Sequence, residues 1–301
     1  MVDTAVLDTR EKVFAGILLT SLAYLLFSFQ DASIKLLVAG YSVWQILFFR
    51  SVTILVGCTA IGGRPLIRQS LASPIVKPML LRSFIILSAW LCFYTAIEHL
   101  QLAELTTIYF AAPVIVTLLS VFILDEKVPL IRWVAVLLGF AGVYVACDPA
   151  QLGLSVPVLL VLAAAFLWAL SIVLLRKIAL QERTLVQLVL NNGFFLVIAE
   201  LPMLWFWQMP GLDDALLLAG VGALGGLAQF MLFEGMKRAP VSIIAPFEYT
   251  SLVWSFILGY LIWQDVPRRE VFFGAALIFC AGLLIIASEH FRKRILPISP
   301  P

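Results

Sequence analysis

Residues 96–129 read AIEHLQLAELTTIYFAAPVIVTLLSVFILDEKVP and run on as LIRWVAVLLGFAGVYVA (130–146). Residues 235–267 read GMKRAPVSIIAPFEYTSLVWSFILGYLIWQDVP and run on as RREVFFGAALIFCAGLLIIA (268–287). Each stretch has an apolar segment, a short polar break, a long apolar segment, an acid, Val-Pro, and a last apolar segment with Ala-Gly. Glu126 matches Asp265, Val128-Pro129 matches Val266-Pro267, and Ala141-Gly142 matches Ala281-Gly282, at offsets of 139, 138 and 140. A weaker echo lies upstream, where Phe27 and Lys35 fall 141 residues before Trp168 and Arg176, and Gln45 falls 142 before Gln187. The unit that recurs thus extends beyond the stretch from Arg82 to Val145. The chain reads as a tandem of two units, 1–150 and 151–301, and a repeat of this kind constrains the fold before any local feature does.

Composition sets the solvent. Of 301 residues 62% are hydrophobic and 13% charged, and mean hydropathy is +1.06. A soluble domain carries about 25% charged residues, so the expectation is an all-α integral membrane protein. A net charge of +2, spread between apolar runs, argues against nucleic acid as a partner. The polar MVDTAVLDTREK leads into a full-length apolar segment without a short apolar core and cleavage site, so Val13 onward is expected to stay as a membrane helix. Cys58, Cys92, Cys147 and Cys280 lie in or beside apolar segments without CxxC spacing and read as small hydrophobes. No metal site or cofactor is expected.

A helix needs about 20 apolar residues to cross a bilayer. Ten segments qualify, near 13–38, 42–61, 79–97, 102–124, 131–147, 157–177, 185–207, 215–236, 241–263 and 270–288. The longest connection, 62–78, reads as a basic loop. Cytoplasmic loops carry the excess of Lys and Arg. With the N-terminus inside, the inner segments hold Arg10, Lys12, Arg64, Arg68, Lys77, Arg82, Lys127, Arg132, Arg176, Lys177, Arg183, Lys237, Arg238, Arg292, Lys293 and Arg294, sixteen in all, against Arg268 and Arg269 outside. Both termini are therefore expected in the cytoplasm. Tyr41, Trp44, Trp205, Trp207 and Trp263 fall at the predicted outer ends, where aromatic anchors belong. Five spans per unit is odd, so the second unit enters from the opposite side. Two inverted five-helix repeats are the architecture of many secondary transporters, with a solute site at the repeat interface near the midplane.

Ionisable groups inside a span cost about 2.5–3.5 kcal/mol on insertion scales and persist where they face a cavity or a partner. Arg50 lies some eight residues into the second span, and Glu248 about seven into the ninth. Each reads as a solute- or proton-coordinating group, or as half of an internal ion pair. Asp31 and Lys35 are four apart and share a helix face with Phe27; the pair also fits the outer interface. Glu104 and Glu234 near span ends carry the same ambiguity. Trp90, Tyr94, Asn191, Asn192, Gln229 and Tyr249 complete a candidate solute-binding set; ordinary core packing and interhelical hydrogen bonds are the competing reading. Pro113 and Pro246 interrupt spans by removing a donor. Gly222 and Gly226, Ala135 and Gly139, and Gly274 and Gly282 mark small-residue packing faces.

The strings CFYTAIEHLQLAELTTIYFAAPV, ILDEKVP, GFAGV and APVSIIAPFEYTSLVW together resemble the drug/metabolite transporter superfamily, in its EamA-type ten-helix branch. The resemblance covers essentially the whole chain. It implies spans 1–4 and 6–9 around a central cavity, spans 5 and 10 at the periphery, and movement of organic metabolites across the bacterial inner membrane. Phe-Glu-Tyr-Thr (247–250) is more similar to riboflavin-type and S-adenosylmethionine-type uptake carriers than to amino-acid exporters. The implied partners are a small-molecule solute, membrane lipid and protons as a candidate coupling ion, with the chain a monomer or homodimer. An intramembrane enzyme is disfavoured: His99 and His290 stand alone, and no HExxH pair occurs. A channel would be expected to carry rings of like polar groups. No GxxxxGK[ST] loop is present, so coupling to ATP within this chain is not expected.

Overall fold

The computed structural model describes residues 2–124, 130–147, 155–178, 182–238, 247–248 and 250–295. The Glu126–Pro129 turn, Pro246 and Tyr249 lie outside them. The described residues are predominantly helical, without strands. The helices are α1 (Val2–Leu37), α2 (Val43–Ala72), α3 (Val76–Ile97), α4 (Leu102–Tyr109), α5 (Ala111–Leu124), α6 (Leu130–Cys147), α7 (Val156–Ile178), α8 (Thr184–Trp205), α9 (Leu212–Arg238), α10 (Thr250–Trp263) and α11 (Arg269–Ile295). Among the described residues, six segments are long and apolar enough to cross a bilayer: Glu11–Leu37, Val43–Ala72, Val76–Ile97, Val156–Leu174, Thr184–Trp205 and Leu212–Gly235. Shorter apolar helices lie at Leu102–Val116, Trp133–Ala146 and Thr250–Trp263. The chain is a multi-pass membrane protein. Large apolar side chains on its surface, such as Leu137, Tyr144, Val197 and Phe273, are what a lipid-facing exterior requires, because lipid offers no penalty for them.

Two elements differ from the sequence expectation. The span expected to be continuous over 102–124 is broken between Tyr109 and Ala111. Pro113 cannot donate to the carbonyl four residues back, which is that of Tyr109. The helix ends there, and the Phe110 N–H turns to the carbonyls of Thr106 and Ile108. The stretch expected as a loop after residue 61 is instead helical to Ala72, reached through a kink at Gly63 with φ 62° and ψ −168°. A positive φ suits glycine. Pro65 then falls in the first turn of the resumed helix, where its missing N–H costs nothing.

The strongest helix pairings join the two ends of the sequence rather than neighbours along it: α1 on α9, α2 on α8, α3 on α7 and α6 on α11. In a bilayer such contacts are won by close van der Waals packing of small residues. At α6–α11 the backbones touch: a Cβ on Gly274 would lie 2.6 Å from the Gly142 carbonyl and 2.6 Å from Ala146 Cβ. On α9, Gly222 and Gly226 receive Thr53 and Ile54 of α2, and Gly235 receives Thr20 of α1. These glycines form packing faces, as the sequence pattern suggested.

Candidate functional site

A cavity lies among α1, α3, α4, α7, α9 and α10. Its lining follows helix periodicity. From α1 come Tyr24, Phe27, Ser28 and Asp31, at i, i+3, i+4 and i+7, and Gln30; from α3, Ala89, Trp90, Phe93 and Tyr94; from α4 and the break after it, Leu102, Thr106, Tyr109 and Phe110. Trp168 of α7, Gln229 of α9, Glu248, and Ser251 and Ser255 of α10 close it. The space open to the centre of a water molecule is about 110 Å³. Small-molecule sites run to about 300–1,000 Å³, so this cavity is smaller than such sites usually are.

The walls are aromatic. Phe195 meets Trp90 edge-on at 5.0 Å, Trp90 stacks on Tyr94 at 6.3 Å, Phe93 meets Tyr109 edge-on at 5.0 Å, and Tyr109 lies 6.4 Å from Trp168. Such offset and T-shaped pairs hold the rings in fixed planes. Tyr24 donates a hydrogen bond to the Glu248 carboxylate, and Gln30 Nε2 donates to the Tyr94 hydroxyl at 3.2 Å.

Of the residues singled out from sequence, Asp31, Trp90, Tyr94, Gln229 and Glu248 line this cavity. Arg50 does not. It is fully buried behind the lining, its guanidinium carbon 3.9 Å from the Trp90 ring centre and its Nε donating to Gln30 Oε1 at 3.4 Å. Nη1 and Nη2 have no hydrogen-bond partner among the described residues. Arg50 therefore braces two wall residues from the rear. Asn192 stands 142 residues on, at the spacing of Gln45 and Gln187. It too is fully buried away from the cavity, donating to the Leu188 carbonyl at 2.9 Å. Lys35 points elsewhere: its ammonium donates to the Leu100 carbonyl at 2.6 Å, lies 3.9 Å from Asp265 and sits over Trp263 at 5.1 Å. Lys35, Arg50 and Asn192 therefore do not line the cavity that Asp31 lines. A four-residue spacing fixes a helix face but not which neighbour covers each end of it. Tyr24, Gln30, Tyr109 and Trp168 were missed; the α1 group was detectable from the i, i+3, i+4, i+7 spacing that ends at Asp31.

Two polar layers flank the cavity. At the end where α1 finishes and α2 begins, Glu104 pairs with Arg268 at 3.1 Å beside the Lys35–Asp265 contact. Gln45 and Gln208 exchange hydrogen bonds of 2.7 and 3.0 Å. Tyr41 donates to Asp214 at 2.6 Å, a bond that raises the Tyr41 hydroxyl above the ordinary tyrosine pKa. At the opposite end, Glu234 accepts from Thr184 at 2.9 Å and pairs with Lys237 and Arg238 at 3.1 and 2.7 Å, while Ser73 donates to Glu182 at 2.6 Å. Among the described residues no group of three His, Cys, Asp or Glu could hold a metal ion.

The chain is thus a helical membrane protein with an aromatic cavity that two acidic side chains, Asp31 and Glu248, line. The EamA-like transporter family model matches residues 14–147 and again 155–287, and the chain belongs to that family. It is 25% identical over 286 residues to an S-adenosylmethionine uptake transporter of Rickettsia prowazekii (strain Madrid E), covering 94% of this chain and 96% of that one. It is 30% identical over 233 residues to a riboflavin transporter of Vibrio cholerae serotype O1, covering 76% and 77%. A solved crystal structure with 19% identity matches at a TM-score of 0.66 over 96% of this chain and 99% of that one, a likeness of fold alone.

Proposed function

We propose that this chain is a secondary transporter. It moves a small organic metabolite across the bacterial inner membrane by alternating access, through ten spans arranged as two inverted units, 1–150 and 151–301. The observation that carries the reading is the cavity, whose walls come from both units: α1, α3 and α4 of the first, α7, α9 and α10 of the second. The helix pairings support the two-fold relation. Exchanging the units turns the α1–α9 contact into α7–α3 and leaves α2–α8 and α6–α11 unchanged, and all four pairings are present. The related glutamines agree with inversion. Gln45 bonds Gln208 at one end of the bundle, and its counterpart Gln187 bonds the Glu182 carbonyl at the other. The sixteen-to-two charge split supports cytoplasmic termini. Relatives named for S-adenosylmethionine and riboflavin favour uptake of a solute of that kind, with an amino-acid export role as the alternative. Protons are the candidate coupling ion.

The test is uptake of radiolabelled metabolites into proteoliposomes, with and without a pH gradient. Saturable accumulation, absent from protein-free vesicles and lost in Glu248→Gln, is the expected result. Linear, non-saturating flux would mark a channel, and no flux for any metabolite tried in either direction would end the transporter reading.

A further inference from the structure

We infer that the solute is an organic cation carrying a planar or aromatic portion, held between Asp31 and Glu248 against the aromatic walls. The inference deepens the transporter reading above and rests on it for the identity of the site. Asp31 of α1 and Glu248 beside α10 both line the cavity, and among the described residues no Lys or Arg does. The Arg50 guanidinium, which does not line the cavity, stacks on Trp90 and attracts Asp31 from there.

The hydroxyl groups reinforce the sign. Ser28 donates to the Tyr24 carbonyl, Thr106 to that of Leu102, Ser251 to that of Glu248 and Ser255 to that of Leu252, all at 2.8–2.9 Å. A hydroxyl has one proton to give and two lone pairs. Each of these has spent its proton on its own helix and can only accept from the cavity. Gln229 is 7% exposed, and its Oε1 has no partner among the described residues, so it adds a buried acceptor that lacks a donor. A buried acceptor left unpaired is costly, and a solute rich in N–H groups or positive charge removes that cost. The aromatic faces carry negative quadrupole charge and favour a cation within about 6 Å. Carboxylates, spent hydroxyls, an open amide oxygen and ring faces all ask for the same partner. An anionic solute would meet two carboxylates, with only neutral donors, the Tyr94 and Tyr109 hydroxyls and the indole N–H groups, to offset them.

The experiment uses purified full-length protein and three probes of similar shape: N-methylquinolinium as cation, N-methyl-4-quinolone as neutral isostere and 1-naphthoate as anion. Binding is read by intrinsic tryptophan quenching and by thermal shift. The cation should bind at least about tenfold tighter than the neutral probe, with the anion weakest. Asp31→Asn and Glu248→Gln should each weaken the cation about tenfold and leave the neutral probe unchanged, while Asp31→Glu retains the preference. The comparison of probes on the unmodified protein stands even if a variant fails to fold. Equal or tighter binding of the neutral or anionic probe overturns the inference, as does a cation preference that survives in the folded double variant. Charge-selective binding without movement of any solute in vesicles would refute the transporter reading and leave this one; saturable transport confined to neutral or anionic solutes would do the reverse.

Discussion

Replacing Arg50 by methionine separates what the arginine costs the fold from what it gives the site. Its guanidinium is fully buried. In its favour are a desolvated cation–π contact with Trp90, about 2 kcal/mol, and the 3.4 Å bond to Gln30, about 1.5 kcal/mol at the weak end for a charged donor. Against it are Nη1 and Nη2, buried without a protein partner among the described residues, at about 1–3 kcal/mol each. The sum lies near zero or slightly unfavourable. Arg50 and Asp31 also attract one another, and removing one member of a buried charge pair leaves the other uncompensated; only replacing both by packed apolar groups is often neutral or stabilising, by about 1–4 kcal/mol. Arg50→Met in detergent should therefore melt a few degrees below the parent, taking about 2–4 °C per kcal/mol. Initial transport rate should nonetheless fall about tenfold or more, because Trp90 and Gln30 lose their brace and small misplacements at a site are costly. Arg50→Lys should recover little of it, since an ammonium lacks the flat face that stacks on the indole. A melting temperature lowered by about 10 °C or more would mean that Arg50 holds the fold together. Full transport in Arg50→Met would mean that the wall needs no brace. Either result refutes the reasoning.

Gly274→Ala should lower thermal stability by about 1–3 kcal/mol, because its Cβ would meet the Gly142 carbonyl at 2.6 Å and the helices must part; the gain of about 1 kcal/mol from helix propensity is the smaller term, and an unchanged melting curve would contradict the close contact. Lys35→Gln combined with Arg268→Gln removes both ion pairs at one end of the cavity and leaves Glu104, 9% exposed, without its partner; melting should fall by several degrees, thiol labelling of Thr106→Cys should speed up if those pairs hold that end closed, and unchanged labelling would deny it. A reporter fused after Arg294 should be active only in its cytoplasmic form, and periplasmic activity would reverse the proposed orientation. Glu248→Gln should insert and fold normally yet lose transport; a normal rate and pH dependence would leave Glu248 a packing residue.

Much of the fold is legible in the sequence, because apolar run length and the cost of an unpaired backbone in lipid leave few options. The apolar runs show directly where helices lie. The break at Tyr109 was present in the sequence as Pro113, but whether a proline kinks a helix or ends it depends on packing. The helix after Gly63 was hidden by Gly-Gly-Arg-Pro, which reads as a loop until the positive φ at Gly63 turns the chain into a new helical start. For the site, charge inside a span was a sound guide to burial and a poor guide to direction. Asp31 and Glu248 face the cavity, whereas Arg50 is as buried as any residue and faces the back of an indole. Sequence spacing gives the face of one helix; the neighbour that covers that face is chosen by helices more than a hundred residues away.

That choice of distant neighbours has a consequence for how the protein is made. Residues 2–147 emerge first from the ribosome, and the principal contacts of α1, α2, α3 and α6 are all with helices that follow residue 155. The early helices must wait in the bilayer with their glycine and polar faces uncovered, Arg50 and Asp31 among them, until the later ones arrive. A stalled or truncated chain would offer those faces to any passing helix and to quality-control proteases. Two separately expressed fragments, divided in the 148–154 stretch, should each be short-lived alone and should protect one another when made together.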